Sequence, residues 1–80
     1  MSERSRMLGE RVDLRQRIQR LAVRCDALKD SLRELCSPIK DALELDADKI
    51  LDTAAGLHAE LCDMQALQAK LNVLNREIGN

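Results

Sequence analysis

His58 and Cys62 are the two side chains whose spacing best suits metal chemistry. They are four residues apart, so on a helix they share one face, which suits two zinc ligands. A complete site needs a third and a fourth ligand, and no nearby residue supplies them. No Cys-x-x-Cys pair occurs, and Ala55 stands three residues before His58, where di-iron bundles carry Glu. We therefore predict no metal site and no cofactor, with His58 and Cys62 as the only candidate ligands.

Nucleophilic catalysis is not predicted either. Cys25, Cys36 and Cys62 are widely spaced, and His58 is the single histidine that could serve as a base. The spacing indicates no third group that would orient such a base. The three glycines are isolated, so there is no phosphate-binding loop. The sequence also has no Phe, Tyr or Trp, which removes aromatic stacking surfaces. We expect a protein that is not an enzyme.

The cysteine content and the apolar runs indicate a cellular location. Small disulfide-bonded domains carry an even and denser set of cysteines than the three present here. No apolar stretch resembles a signal peptide, and the longest apolar run is Leu21-Ala22-Val23. A membrane-spanning helix needs about 20 apolar residues. We therefore expect reduced thiols, a cytoplasmic location and no membrane contact.

The first 24 residues are rich in arginine, which could suit phosphate groups. Acidic residues interrupt these arginines, and the whole chain has a net charge of −1. No short turn between helices resembles a helix-turn-helix motif. Nucleic acid is therefore not the expected partner, although a nucleic-acid-associated accessory protein is an alternative that uses this arginine set: Arg4, Arg6, Arg11, Arg15, Arg17, Arg20 and Arg24.

The elements that would position these side chains are helices. Fourteen Leu and nine Ala dominate the apolar residues, and both are strong helix formers. In the first half, eight apolar residues recur at alternating steps of four and three, which predicts a helix over about residues 8–36 that packs along another helix. Leu8, Ala22 and Cys36 lie beside this seam and widen it. The seam residues are Leu14, Ile18, Leu21, Cys25, Leu28, Leu32, Leu35 and Ile39.

Ser37-Pro38 interrupts the pattern, because proline disfavours a helical backbone at the residue before it. We predict a connection over about residues 37–47, with a short helical piece that starts at Pro38. Asp46 and Asp48 are candidate caps of the next helix. One continuous helix kinked at Pro38 is the alternative.

The second helix is predicted over about residues 48–78, with Gly79 as its C-terminal stop. Its apolar stripe drifts around the helix, as expected for a period of 3.6. Gln68 and Asn75 occupy seam positions. Either they are buried and select the register, or they face water while neighbouring leucines fill the seam, which the drift favours. The predicted core residues of this helix are Ile50, Leu57, Leu61, Met64, Leu67, Leu71, Leu74 and Ile78.

Two matched helices with a short connection predict a single all-α domain over residues 1–80, folded as an antiparallel, coiled-coil-like hairpin. The charges support this pairing. Residues 1–40 contain ten Lys and Arg against six Asp and Glu, whereas residues 41–80 contain three against eight. A basic helix would therefore lie beside an acidic one.

A lone hairpin of this length has a small core, and several apolar residues flank its seams. We expect a homodimer that forms a four-helix bundle. The predicted function is a non-enzymatic interaction module that self-associates and can bind a helical protein partner. A metal- or thiol-responsive bundle is a further alternative. The flanking residues that would be covered are Leu8, Ala22, Cys36, Leu51, Leu67, Val73 and Leu74.

Overall fold

The computed structural model describes residues 2–79 and shows two long α-helices joined by a short connection. Helix α1 spans Glu3–Leu35 and helix α2 spans Ala47–Ile78. No strand occurs within residues 2–79. The predicted all-α helical hairpin is therefore confirmed. Neither helix is long and apolar enough to cross a bilayer.

Helix α1 begins five residues earlier than the heptad pattern indicated, because its first turn is capped. The Ser2 hydroxyl accepts a hydrogen bond from the backbone N–H of Ser5 at 3.2 Å. This bond satisfies one of the amide groups that the first turn of a helix leaves unpaired. Glu3 lies in the same turn, where a negative charge is favourable.

Helix α2 has a polar cap at its start and a glycine at its end. The Asp46 carboxylate accepts a hydrogen bond from the backbone N–H of Lys49 at 3.1 Å. Gly79 adopts a left-handed backbone with φ of 94°, a conformation that is strained for residues with a Cβ. Its N–H donates to the carbonyl oxygens of Asn75 and Arg76 at 3.1 and 3.2 Å. Gly79 therefore stops the helix, as the sequence suggested.

The connection differs from the prediction in its detail. The first helix ends before Pro38, so there is no single long helix kinked at that residue. However, no helical piece begins at Pro38. The Ser37 hydroxyl instead accepts from the N–H of Ile39 at 3.4 Å, and a short 3-10 helix spans Ala42–Glu44. Ile39 is 92% exposed. Its predicted core position is wrong, because the chain leaves the helix at Leu35 and the spacing of four no longer places it on the seam.

Two contacts between the helices fix their antiparallel register. The Arg24 guanidinium lies 3.5 Å from the Glu60 carboxylate. One turn further along α1, the methyl groups of Leu28 pack over Gly56, 3.9 Å from where a Cβ would stand. Four residues forward on α1 thus correspond to four residues back on α2. Because Gly56 has no side chain, the leucine packs close to the α2 backbone.

The core is one narrow seam between the two helices. Within residues 2–79, only Cys25, Leu71, Leu74 and Ile78 are buried, with exposed fractions of 4–6%. No large side chain is fully buried. Apart from Ile39, every residue predicted for the core lies on the seam, and the remaining ones are partly buried. These are Leu14, Ile18, Leu21, Leu28, Leu32 and Leu35 in α1, with Ile50, Leu57, Leu61, Met64 and Leu67 in α2.

The polar seam residues behave differently from one another. Gln68 is exposed, and its side-chain Nε2 donates a hydrogen bond to the side-chain Oδ1 of Asn72 at 3.0 Å. The expected drift of the stripe towards the neighbouring leucines explains its position. Asn75 instead is partly buried, and its side-chain oxygen has no hydrogen-bond partner. Arg11 on α1 is partly buried too, and its Nε is likewise unpaired. The open end of the hairpin therefore contains two polar side chains that cost stability.

Gly56 inside α2 and Gly79 at its C-terminal end give predictions of opposite sign for the free energy of unfolding. Gly56→Ala should raise the free energy of unfolding by about 0.5–1 kcal/mol, because alanine is favoured inside a helix and the new methyl group meets Leu28 at ordinary contact distance. Gly79→Ala should lower it by about 1 kcal/mol, because the left-handed backbone disfavours a Cβ. Urea unfolding at one fixed protein concentration measures both. Destabilisation by Gly56→Ala would contradict the observed packing of Leu28.

Candidate interaction surface

The candidate metal ligands do come together on α2. The Cys62 Sγ lies 3.6 Å from the His58 Nε2, and both side chains are exposed. This separation matches that of a sulfur and a nitrogen bound to one tetrahedral zinc ion at about 2.3 and 2.0–2.1 Å. However, no group of three His, Cys, Asp or Glu side chains with metal-binding geometry occurs within residues 2–79. The pair is half of a zinc site at most.

The three cysteines occupy three different environments. Cys25 is buried in the seam, whereas Cys36 and Cys62 are exposed, and all three are free thiols. Cys36 follows the last residue of α1 and caps it, with its N–H bonded to the carbonyl oxygen of Leu32 at 2.9 Å. A buried seam thiol acts as a small apolar side chain. The arrangement brings no two thiols together.

The N-terminal arginines do not form one basic face. Arg17, Arg20 and Arg24 follow each other at steps of three and four and share one side of α1, but Arg15 lies about 200° around the helix from Arg17. Arg6 pairs with Glu3, and Arg24 pairs with Glu60. A duplex-binding surface concentrates its positive charges on one face. The charges of this hairpin are instead distributed around α1.

Two open grooves run between the helices, with volumes of about 590 and 720 Å³. Arg17 lines both grooves. Acidic residues accompany it in each, with Asp13 and Glu77 in the first groove and Asp63 in the second. Neither groove therefore presents a single sign of charge that would select a charged ligand.

The residues expected to flank the seam separate into two groups. Leu67 is partly buried and Leu74 is 6% exposed, so both pack inside the hairpin. They are not available to a second molecule, and that part of the expectation is wrong because the drift of the stripe carries them into the seam. Leu51 and Val73 remain 67% and 46% exposed. Cys36 is also exposed, whereas Leu8 and Ala22 are partly buried.

A second apolar stripe runs along α2 outside the leucine seam, and its members Ala66, Ala69 and Val73 also line the grooves beside α1. Ala69 and Val73 are each two residues from the buried Leu71, which places them about 200° around the helix. The stripe repeats at steps of four and three, the spacing by which one helix packs along another. All its members are exposed, and we call it the α2 outer face. It consists of Ala55, Ala59, Cys62, Ala66, Ala69 and Val73.

Val73 was predicted as a flanking residue, but the rest of this face was not predicted, because its other members are small. The alanines were interpreted as helix formers, and Cys62 as a candidate metal ligand. The steps of four and three between these six residues are nevertheless visible in the sequence, since no polar residue occupies any of the six positions. The two helices also differ in charge: 15 of the 33 residues in α1 are charged, against 8 of 32 in α2. Of the two helices, α2 is therefore the one with a surface suited to apolar contact.

Comparisons of the chain with models of protein families, with curated proteins and with solved structures found no match. No relative therefore supplies a function, a substrate or a partner for this chain.

The half-site on α2 gives a prediction about zinc. An equimolar amount of Zn²⁺ should leave the melting temperature of the protein unchanged, because His58 and Cys62 provide only two of the four ligands of a structural site. A ligand that binds only the folded state would raise that temperature. Thermal unfolding with and without Zn²⁺ measures the effect, with His58→Ala as the control. A rise that this substitution abolishes would favour a metal-responsive bundle instead.

Proposed function

We propose that the protein is a non-enzymatic helical interaction module that self-associates as a two-fold dimer, with four helices in all. Its surface area is the observation that supports this. The chain exposes 6175 Å², whereas a compact monomer of its 9.0 kDa mass exposes about 4,850 Å². The surplus of roughly 1,300 Å² exceeds the area of about 800 Å² that each partner buries in a standard protein interface.

The shape of the hairpin points the same way. Its Cα atoms span 61 × 18 × 14 Å, and the radius of gyration is 18.0 Å. A compact domain of this length has a radius of gyration of about 12 Å. One helix layer against another leaves the outer side of each helix in water. A second hairpin would cover one such side.

The α2 outer face is the surface we propose for this contact. Small side chains let two helix backbones approach to about 8 Å, the close end of the range for helix pairs. Val73 belongs to this face, and Leu51 lies about one turn before its first residue, Ala55. Both add a larger apolar area, because each is about half exposed or more. Burial of such surface contributes about 25 cal/mol per Å². A helical segment of another protein is the alternative occupant, and a monomeric chain in solution would favour it.

The thiols support a reducing location for this module. Cys25, Cys36 and Cys62 are all free, and a disulfide-forming compartment would leave the two exposed thiols open to oxidation. We propose that the protein works in the cytoplasm.

Light scattering coupled to size exclusion tests the self-association. The wild-type chain should elute at twice the 9.0 kDa mass, because two-fold pairing is the commonest closed assembly. Ala66→Glu places a charge in the α2 outer face and should give the monomer mass. Ala27→Glu makes the same change at an exposed position on α1 and should leave the dimer intact. A wild-type chain at monomer mass at every concentration would refute the proposal.

A further inference from the structure

We infer that the α2 helices of two copies pair antiparallel through their outer faces, about a two-fold axis that runs between the two helices at the level of Met64. This inference rests on the proposed self-association and adds the surface, the orientation and the register. It follows from three properties of the exposed residues, which are their symmetry about Met64, the charges at the two ends of the stripe and the position of the face relative to α1.

The spacing of the outer face is symmetric about Met64. Ala55 and Val73 both lie nine residues from it, Ala59 and Ala69 both lie five, and Cys62 and Ala66 both lie two. In an antiparallel pair, residues at equal distances on opposite sides of the axis face each other. Every member of the stripe therefore meets another member in the second copy. A shift by one heptad in either direction would leave members of the stripe opposite polar residues.

Charges of opposite sign close both ends of the paired stripe. Asp52 and Arg76 continue the spacing by one step at each end, and both lie twelve residues from Met64. Antiparallel pairing thus brings Asp52 of one copy opposite Arg76 of the other, twice in the dimer. A parallel pair would instead place Asp52 against Asp52 and Arg76 against Arg76. Opposite-charge pairs of this kind select orientation and register.

Charged residues of both signs border the stripe near the axis. Asp63 and Lys70 lie on the same side of it, and both are exposed. In this register the two Asp63 residues are two residues apart along the axis, whereas each is five residues from Lys70 of the second copy. The two Lys70 side chains therefore offset the repulsion between the Asp63 carboxylates only in part.

The position of the outer face sets the arrangement of the four helices. Because the outer face lies outside the seam, each α2 would contact its own α1 through the seam and the α2 of the second copy through the outer face. The dimer is then a layer in the order α1, α2, α2, α1 rather than a square bundle. The highly charged α1 helices lie at the two edges, where water solvates them. At 1.5 Å per residue, the stripe from Asp52 to Arg76 is about 36 Å long.

Disulfide cross-linking tests the register. Ala66→Cys, in a chain that also carries Cys36→Ser, places the new thiol opposite Cys62 of the second copy. Mild oxidation should therefore give a covalent dimer joined at both symmetric positions. Ala59→Cys is the matched control on the same face. Its new thiol would lie about 10 Å along the axis from Cys62 of the second copy, too far for a disulfide, so it should remain unlinked.

Each outcome of the cross-linking is decisive. A dimer by light scattering whose Ala66→Cys variant does not cross-link, or whose Ala59→Cys variant links equally well, would overturn the register and leave self-association standing. Efficient linking of the Cys36→Ser chain through its own Cys62 residues would indicate a parallel pair and overturn the inference. A monomeric chain would overturn the proposed function as well.

Charge reversal provides a second test that does not depend on thiols. Asp52→Arg and Arg76→Asp should each weaken the dimer by about tenfold in Kd, because each creates two like-charge contacts. The double variant should recover the wild-type Kd, since it restores both pairs with their signs exchanged. Each reversal also opposes the helix dipole of α2, but the double variant would add those effects rather than cancel them. Lack of recovery in sedimentation equilibrium would contradict the Asp52 and Arg76 pairing.

Discussion

Each helix of the hairpin has a single neighbour in the chain, and this limits how much apolar surface the chain can bury. The seam takes one face from α1 and one from α2, and only four of its side chains become buried. The antiparallel register places Leu28 over Gly56. Caps at Ser2, Asp46 and Gly79 stabilise three of the four ends of the α-helices.

The same limit connects the fold to the proposed function. Two helices without aromatic residues or disulfides give a thin core, and the remaining apolar surface of α2 is exposed. In a globular domain a further helix of the same chain would cover it. Here the chain has no further α-helix within residues 2–79, so a second molecule is the proposed cover. The polar surface of α1 would end the proposed assembly at two hairpins.

The hairpin was predictable from the sequence because the heptad of α1 is long and unbroken and Pro38 follows it. Ile39 was misplaced, since spacing alone cannot show that the chain has already left the helix at Leu35. The early start of α1 is stabilised by a hydrogen bond from the Ser5 N–H to the Ser2 hydroxyl, which lies before Met7, the first apolar residue of the helix. Asn75 was expected in water, but it is partly buried at the open end of the hairpin.

The α2 outer face was harder to predict for a physical reason. Alanine has a high helix propensity wherever it stands, so a row of alanines indicates a helix before it indicates a contact surface. Only the structure shows which alanines are left exposed by the leucine seam. Once Leu71 and Leu74 are known to be buried, the spacing of Ala55 to Val73 becomes a second stripe outside the leucine seam. His58 and Cys62 were brought together as their spacing indicated, although they form only half of a metal site.

The central claim is that the folded unit gains stability from a second copy of the chain. Thermal unfolding followed by circular dichroism over a hundredfold range of protein concentration tests it most directly, because association that occurs only in the folded state makes the midpoint depend on concentration. We expect the midpoint of the wild-type chain to rise steadily with concentration. The midpoint of the Ala66→Glu variant should be the same at every concentration. A cooperative transition whose midpoint is the same at every concentration would contradict it.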